Sequence, residues 1–230
     1  MKKVAILQSN YIPWRGYFDL INRVDDFVLY DDAQYTKNDW RNRNKIKTSA
    51  GLSWLTIPVR QQCLSQRIRD TKITDVRWSR RHWKTLTQNY SKSRFFTSYN
   101  EYFEDIYNKC TDKYLTEINY KFLKAVNDIL DIKTNIKWSS DFVFSGGSKS
   151  EKLVDICKSL QANVYISGPS AKNYLDEELF EKEGIAIEWM SYDHYMEYEQ
   201  LHPPFENSVT VLDLIFNCGP DSKRLVTGVN

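Results

Sequence analysis

Three side chains could carry acid–base chemistry: the adjacent carboxylates Asp31 and Asp32, and the imidazole of His82. Asp31 and Asp32 end the apolar run FVLY, and His82 lies in the segment RWSRRHWK. Imidazole is the usual general base near neutral pH, although a single histidine within a helix also serves structural roles. The other two histidines are His194, which follows an aspartate, and His202 in a proline-rich loop. We predict His82 as the general base, with Asp31 and Asp32 as alternatives.

Basic and aromatic residues alternate in the stretch DDAQYTKNDWRNRNKIK. Arginine offers a planar fork that suits phosphate, and lysine adds a point charge. Tryptophan and tyrosine offer surfaces on which a base or a sugar can stack. A solvated basic loop is the alternative interpretation. The predicted binding residues of this stretch are Tyr35, Lys37, Trp40, Arg41, Asn42, Arg43 and Lys45.

The stretch QSNYIPWRGYFD follows the first apolar run of the chain, VAIL. A turn that only reverses the chain is built from glycine, proline or small polar residues, whereas this one carries large amphipathic rings. Such rings either cap the edge of a sheet or contact a ligand. The predicted binding residues here are Gln8, Asn10, Tyr11, Trp14, Gly16 and Tyr17.

The turn Ser167-Gly168-Pro169-Ser170 is a further candidate because it follows an apolar run and precedes a helical pattern. Backbone N–H groups at the start of a helix suit a phosphate or a carboxylate, and they also suit an oxyanion. The same residues form ordinary turns as well. We predict binding roles for Ser167, Gly168 and Ser170.

Alternating strands and helices must position these groups. KKVAILQSN predicts a first strand, YFDLINRVDD a helix and FVLYDD a second strand, which together form a βαβ unit. The second half repeats this alternation with the helix SEKLVDICKSLQA and the strands NVYISG and GIAIEWM, while WLTIPV predicts a further strand. Residues 77–131 contain few helix breakers and predict helices.

We therefore predict a single α/β domain over residues 1–230, Rossmann-like with a mostly parallel sheet, and a mainly helical insertion at about 77–131. In open parallel sheets, ligands bind outside the carboxyl ends of the strands. That rule predicts that three candidate groups lie at one edge of the sheet, which we call the rim. They are the loop from Gln8 to Tyr17, the acids Asp31 and Asp32, and the turn from Ser167 to Ser170.

Charge and cysteine content narrow the function classes. The 32 basic and 30 acidic residues nearly balance, so nothing in the overall charge demands nucleic acid or an anionic membrane. The four cysteines lie far apart, and the chain shows neither a signal peptide nor a long apolar span. We expect a cytoplasmic protein with reduced thiols. No zinc-site spacing and no Walker or dinucleotide fingerprint is present, so we predict no metal and no tightly bound cofactor.

Five segments together resemble the WbqC-like protein family. They are AILQSNYIPWRGYFDLI, FVLYDDAQYTKNDWRNRNKIK, WLTIPV, SEKLVDICKSLQANVYISGPSAKNYLDEELF and VLDLIFNCG, and they span nearly the whole chain. The Trp-Arg-Asn-Arg stretch is the most specific part. The sequence departs from the usual family form at Ser9, where proline is common, and at Ser170, where glycine is common.

This resemblance implies a role in surface-polysaccharide biosynthesis, notably that of O-antigen. It implies an N-acyl or aminoacyl transferase, for example a glycyl transferase, that acts on a nucleotide-linked amino sugar. The co-substrate would be an acyl thioester of coenzyme A or of an acyl carrier protein.

The order strand, loop, helix at the start of the chain also resembles, more remotely, that of the nucleotidyltransferase-like superfamily. There a His-x-Gly-His motif would stand where this chain has Trp14-Arg15-Gly16-Tyr17, so Gly16 is kept and both imidazoles are absent. Two alternatives follow: a phosphoryl-transfer enzyme that uses Mg²⁺ through Asp31 and Asp32, or a non-catalytic protein that binds an acyl carrier protein or nucleic acid.

Overall fold

The computed structural model describes residues 1–144 and 146–228. In chain order the strands are β1 (Lys3–Leu7), β2 (Asp26–Leu29), β3 (Arg43–Thr48), β4 (Gly51–Thr56), β5 (Val59–Arg60), β6 (Lys72–Ile73), β7 (Asn135–Trp138), β8 (Val164–Ser167) and β9 (Ala186–Trp189). The α-helices are α1 (Arg15–Asn22), α2 (Trp78–Tyr90), α3 (Phe96–Asn108), α4 (Leu115–Ile129), α5 (Lys149–Ser159), α6 (Glu177–Lys182), α7 (Val211–Cys218) and α8 (Ser222–Thr227). Short 3-10 turns lie at Ile68–Asp70, Ser139–Asp141, Pro169–Asn173 and Gly219–Asp221.

Five of the strands form a parallel sheet in the order β7-β2-β1-β8-β9. The predicted Rossmann-like α/β fold is therefore confirmed. The chain moves outward from β1 through β2 to β7, and then returns to the other side of β1 to form β8 and β9. The strand order thus reverses between β1 and β8, which is the point where open sheets of this kind leave a crevice.

Side chains of each strand alternate between two apolar layers, as expected for a sheet covered on both faces. Ala5 faces the larger layer, which contains the buried faces of α1, α2, α3, α4, α7 and α8. Its neighbours Val4 and Ile6 face the smaller layer with α5 and α6. This packing fixes the carboxyl ends of the strands against helices on both sides.

Helices α2, α3 and α4 occupy the region for which the sequence predicts a helical insertion, with breaks at residues 91–95 and 109–114. The strand predicted at WLTIPV is divided into β4 and β5. Strand β4 pairs antiparallel with β3 in a hairpin outside the parallel sheet. The sequence did not predict β3, because its residues RNKIKT are almost all polar.

An irregular segment, residues 190–210, crosses α1 and is held by two buried carboxylates. Tyr195 donates its hydroxyl hydrogen to Asp19 over 2.7 Å. Tyr198 donates to Asp213 over 2.9 Å. Arg15, at the start of α1, donates to the Met196 carbonyl oxygen over 2.8 Å. We name residues 190–210 the strap.

Free thiols occur at all four cysteines. Burial raises the pKa of Cys110 and of Cys157 to about 12, so neither thiol is activated as a nucleophile. In the part of the chain that the structure describes, no helix is long and apolar enough to span a membrane.

The Asp213 carboxylate tests how strongly the strap depends on buried hydrogen bonds. Its oxygens accept from Tyr90, Tyr198, Gln200 and Asn217. Replacement by alanine leaves several buried donors without an acceptor. We expect Asp213→Ala to lower the free energy of unfolding by about 2–4 kcal/mol, measured by urea denaturation at neutral pH.

Asp128→Ala is the control, because Asp128 is an exposed aspartate on α4. Its effect should stay within about 0.5 kcal/mol of zero. Equal stabilities for the two variants would contradict the role given to Asp213.

Candidate functional site

A cavity of about 430 Å³ opens at the switch point, at the carboxyl ends of β1, β2 and β8. We name it the switch-point cavity. Its volume is in the range of small-molecule sites. Its polar lining combines residues after β1 and β2, the last residue of β8 and the first turn of α5. These polar side chains are Gln8, Tyr30, Asp32, Gln34, Thr36, Lys149, Lys152, Tyr165, Ser167 and Tyr174.

Two lysines on α5 give this cavity unpaired positive charge. Helix α5 begins beside the cavity, with Ser148 as its N-cap. Lys149 and Lys152 both line the cavity, and neither makes an ion pair with any described residue. An anion such as phosphate would satisfy both ammonium groups. The sequence predicted a helix start at this point but did not assign the lysines to a site.

Asp32 is the carboxylate among the cavity's lining residues, and the fold holds it firmly. Arg69 lies 3.0 Å and Arg67 3.5 Å from its Oδ1 atom. The Ser139 hydroxyl donates to Oδ2 over 2.7 Å. The side chain remains 18% exposed, so a ligand in the cavity can still reach it.

Asp31, the adjacent carboxylate, is buried and lines neither the switch-point cavity nor the second cavity described below. It accepts the Ser9 N–H over 2.8 Å and also the Thr116 hydroxyl. Burial raises its pKa, and the hydrogen bonds from Thr116 and Ser9 oppose that shift. Asp31 therefore ties the loop after β1 to α4, and its predicted catalytic role stays a prediction.

Arg41 also holds the loop after β1, through two of its side chains. Its guanidinium donates to the Gln8 Oε1 atom over 2.9 Å and to the Asn10 Oδ1 atom. Asp39 lies 3.5 Å away, and the arginine side chain is only 13% exposed. Because a guanidinium is a donor only, the amide oxygens must face Arg41. The amide N–H₂ groups of Gln8 and Asn10 then face away, and neither has another partner among the described residues.

A second cavity, of about 230 Å³, is lined by residues further along this loop. We name it the aromatic cavity. Gln8 lines the switch-point cavity and Asn10 lines the aromatic cavity, so Arg41 holds one side chain from each. The residues that line the aromatic cavity are Asn10, Pro13, Trp14, Trp40, Asn44 and Ser208.

The loop that contributes to both cavities has a constrained backbone. Ile12 has a φ of 39°, a value that is rare for a β-branched residue. Its carbonyl oxygen accepts hydrogen bonds from Asn44 over 2.6 Å and from Thr210 over 2.8 Å. Hydrogen bonds from β3 and from the start of α7 therefore hold the loop in a conformation that its sequence does not favour.

The hairpin β3–β4 brings several predicted basic and aromatic residues together beside the aromatic cavity. The Trp40 and Trp54 ring centroids lie 5.3 Å apart. The Arg43 guanidinium lies 4.1 Å above the Trp54 ring, and Lys45 Nζ lies 5.3 Å from it. Lys37, three positions before Trp40 in the sequence, is exposed. The sequence did not assign Trp54 to this group.

Four of the predicted binding side chains are buried and line neither cavity. Tyr11, Tyr17 and Tyr35 are buried in the apolar core. Asn42 is buried and donates to the Ile57 carbonyl oxygen over 2.8 Å. The Tyr17 hydroxyl donates to the Gln8 carbonyl oxygen over 2.9 Å, so it acts on the site through the backbone of the loop.

Tyr192, on the strap, connects two further predicted groups. Its ring packs edge-on against Trp14, with centroids 4.9 Å apart. A Cβ atom added to Gly168 would lie 3.4 Å from the Tyr192 hydroxyl. Gly16 is needed because a Cβ there would lie 2.4 Å from the Trp14 ring. Ser170 is exposed, and the oxyanion role of this turn stays a prediction.

His82 is buried, and both of its ring nitrogens are engaged. Nε2 lies 3.2 Å from the Thr56 carbonyl oxygen, which makes Nε2 the protonated nitrogen. Nδ1 accepts the Tyr11 hydroxyl over 3.0 Å. Burial lowers the His82 pKa to about 4. His82 is not among the residues that line the switch-point cavity or the aromatic cavity.

Comparison with known proteins now identifies the relatives of this chain. A model of the WbqC-like protein family matches residues 8–225. The chain belongs to the WbqC-like protein family. The Mycobacterium tuberculosis protein named "Uncharacterized protein Rv1507c" is 46% identical over 223 residues, which are 96% of each chain. No solved structure matches.

The family match covers every residue that lines the aromatic cavity and, apart from Ile6 and Leu7, every residue that lines the switch-point cavity. The resemblance drawn from the sequence is confirmed. Within residues 1–144 and 146–228, no group of three or more His, Cys, Asp or Glu side chains could hold a metal ion.

The pH dependence of stability tests the structural role of His82. Its pKa is about 4 in the folded protein and 6.5 ordinarily, so between these values the unfolded chain binds a proton that the folded chain does not. Stability therefore falls as the pH drops through this range. We expect a lower urea midpoint near pH 5 than near pH 7, and we expect His82→Gln to remove part of this difference.

An unchanged pH dependence in His82→Gln would contradict this role. Turnover of the folded variant then tests catalysis separately. A loss of about 10²–10⁴-fold would support the predicted general base, and full turnover would leave the carboxylates as the candidates.

Proposed function

We propose that this protein is an N-acyl or aminoacyl transferase that acts on a nucleotide-linked amino sugar in cytoplasmic steps of surface-polysaccharide biosynthesis, such as that of O-antigen, with an acyl thioester as donor. One observation carries the proposal. One loop contributes to both cavities, and Arg41 holds the amide oxygens of Gln8 and Asn10, which line one cavity each. A transferase needs two neighbouring substrate sites, with hydrogen-bond donors where the two sites meet.

The acceptor substrate suits the switch-point cavity. Lys149 and Lys152 would bind the phosphates of the nucleotide-linked sugar, as unpaired cations at the carboxyl end of a parallel sheet commonly do. Ser167 and Thr36 add hydroxyl groups that can bind ribose or sugar oxygens. The amine of the sugar would then lie near Gln8 and Asp32.

The thioester donor suits the aromatic cavity. Pro13, Trp14 and Trp40 give it apolar walls, while Asn10 and Asn44 offer polar atoms. This combination matches a chain that alternates methylene groups with amides, as the pantetheine arm of a thioester does. The reactive carbonyl would lie where the cavity meets the loop.

The transfer step joins the two sites. The neutral amine nitrogen attacks the thioester carbonyl carbon, a C–N bond forms, the C–S bond breaks, and the sulfur leaves as a thiolate. The amide N–H₂ of Gln8 or Asn10 would stabilise the oxyanion of the tetrahedral intermediate. Asp32 is the candidate base that lines the switch-point cavity, and it would accept the proton that the amine loses.

The deciding experiment incubates the purified protein with a panel of nucleotide-linked amino sugars and acyl thioesters, and follows product mass with and without a chelator. Acyl transfer from a thioester requires no divalent ion, so the acylated sugar should form in the presence of EDTA. Activity that is lost in EDTA and restored by Mg²⁺ would instead favour phosphoryl transfer. Absence of any acylated product across the panel would overturn the proposal.

The lysines of α5 provide a binding test that is independent of catalysis. The double variant Lys149→Ala/Lys152→Ala should weaken binding of nucleoside diphosphates, used as probes, by about 1.5–3 kcal/mol per lost charged hydrogen bond. Calorimetry measures the affinity. Lys182→Ala, which removes an exposed lysine from α6, is the control. Equal affinities for the double variant and the wild type would remove the phosphate site from the switch-point cavity.

Arg41 provides a test of amide positioning. Arg41→Lys keeps the charge but cannot hold two amide oxygens in one plane. We expect kcat to fall by about 10²-fold, the effect of losing an oxyanion donor, with a smaller change in KM. Asn10→Ala and Gln8→Ala should not add fully to Arg41→Lys, because each removes a group that the arginine positions.

Full additivity of these variants would show that Arg41 acts separately from the amides. Melting temperatures of the same preparations separate a loss of positioning from a loss of folded protein. Arg41→Lys with wild-type kcat would contradict the positioning role.

A further inference from the structure

The stretch from Trp40 to Arg69 contains no acidic residue, although it carries seven basic ones. The chain as a whole has 30 acidic and 32 basic residues among 230, so about four acids would be expected in a stretch of this length. The overall net charge of +2 therefore conceals one strongly basic region. The hairpin β3–β4 lies within it.

One face of the hairpin carries both charge and exposed apolar area. Pairing of Arg43 with Thr56 and of Lys45 with Trp54 places these residues on the same face. The opposite face, with Ile46 and Leu55, is buried. On the open face Trp54 is 42% exposed, and the adjacent Trp40 is 40% exposed.

The cations of this face have no acidic partners. Among the described residues, no ion pair involves Lys37, Arg43 or Lys45. Lys45 Nζ lies 5.8 Å from the Trp40 ring and 5.3 Å from the Trp54 ring. The charges of Arg43 and Lys45 thus lie over aromatic rings. Arg43 also donates to Asn38, which is uncharged, so neither charge is neutralised by an acidic residue. We name Trp40, Arg43, Lys45, Leu52 and Trp54 the docking surface.

The docking surface borders the aromatic cavity. Trp40 belongs to both, and Asn44, which lines the cavity, lies between Arg43 and Lys45 in β3. A partner seated on the surface would therefore lie at the mouth of a cavity suited to one extended arm.

We infer that the docking surface binds an acidic acyl carrier protein, whose pantetheine arm delivers the acyl thioester into the aromatic cavity. This inference rests on the proposed function and specifies the source of its donor. Charge complementarity selects an acidic partner, and the exposed tryptophans supply the apolar contacts that protein interfaces favour. The same thioester on free coenzyme A would leave the docking surface largely uncovered.

Single-stranded nucleic acid is a different class of anionic partner, and the ring geometry disfavours it. Such strands bind by stacking successive bases on open aromatic faces. Trp54 has the Arg43 guanidinium over its ring at 4.1 Å and the Trp40 ring at 5.3 Å. The Arg43 guanidinium and the Trp40 ring therefore compete with a base for the Trp54 ring.

The test uses the full chain and an acidic acyl carrier protein in its acylated holo form, with binding measured by calorimetry. We expect Lys45→Glu and Arg43→Glu to weaken binding at least tenfold, and added salt to weaken wild-type binding. Lys182→Glu, on α6, is the matched control and should bind as the wild type does. Melting temperatures establish that the variants are folded.

Three results would overturn the inference: no binding of the carrier protein, carrier binding that Lys45→Glu and Arg43→Glu leave unchanged, or a single-stranded oligonucleotide that displaces the carrier. The assay contains no amino sugar, so its outcome is separate from that of the proposed function. Transfer from coenzyme A thioesters without carrier binding would contradict this inference alone. Carrier binding without transfer to any amino sugar would contradict only the proposed function.

Discussion

The arrangement of both cavities depends on the guanidinium of Arg41. A guanidinium can only donate hydrogen bonds, so each amide that it holds must turn its oxygen inward and its N–H₂ group outward. Gln8 and Asn10 are two positions apart, and in a chain that is not helical such residues share a side. Ser9, between them, is buried on the other side and donates its N–H to Asp31. One arginine can therefore set the donor groups of two neighbouring cavities.

The elements around Arg41 are held largely by buried polar groups. Asn119 donates to the Arg41 carbonyl oxygen and to the Ser9 hydroxyl oxygen, each over 2.9 Å. Asp31 and Asp213 each accept several hydrogen bonds, and burial raises the pKa of both carboxyls. Buried networks of this kind specify one geometry because an unmade hydrogen bond is costly there. The loop after β1 can thus keep an unfavourable backbone angle at Ile12.

Sequence patterns predicted the elements whose side chains alternate or recur regularly. The apolar runs of β1, β2, β8 and β9 and the helices of residues 78–129 belong to this group. Strand β3 escaped prediction because Ile46 is its one apolar residue, while the polar Asn44 and Lys47 are also buried. Their burial depends on partners distant in sequence: Asn44 donates to the Ile12 carbonyl oxygen, and Lys47 to that of Pro204.

The sequence predicted only part of the site, because the rest of it also depends on residues that are distant in sequence. The rule of strand ends located the rim that holds Gln8, Asp32 and Ser167. It could not reveal that Lys149 and Lys152 reach this rim, because their position follows from where α5 begins relative to β1. Nor could it distinguish Asp31 from Asp32, since burial of one neighbour and exposure of the other is set by α4. Tyr192 joins two predicted groups only through the path of the strap.

The acid-free stretch links the two cavities electrostatically. Arg67 and Arg69, near its end, contact Asp32 beside the switch-point cavity. Arg43 and Lys45, near its beginning, border the aromatic cavity. Arg67 and Arg69 are paired with Asp32, so the unpaired cations of the switch-point cavity are Lys149 and Lys152. With Arg43 and Lys45 beside the aromatic cavity, each cavity would favour an anionic or acidic ligand. A chain of nearly zero net charge can therefore present two electropositive sites, provided that its acids are placed elsewhere.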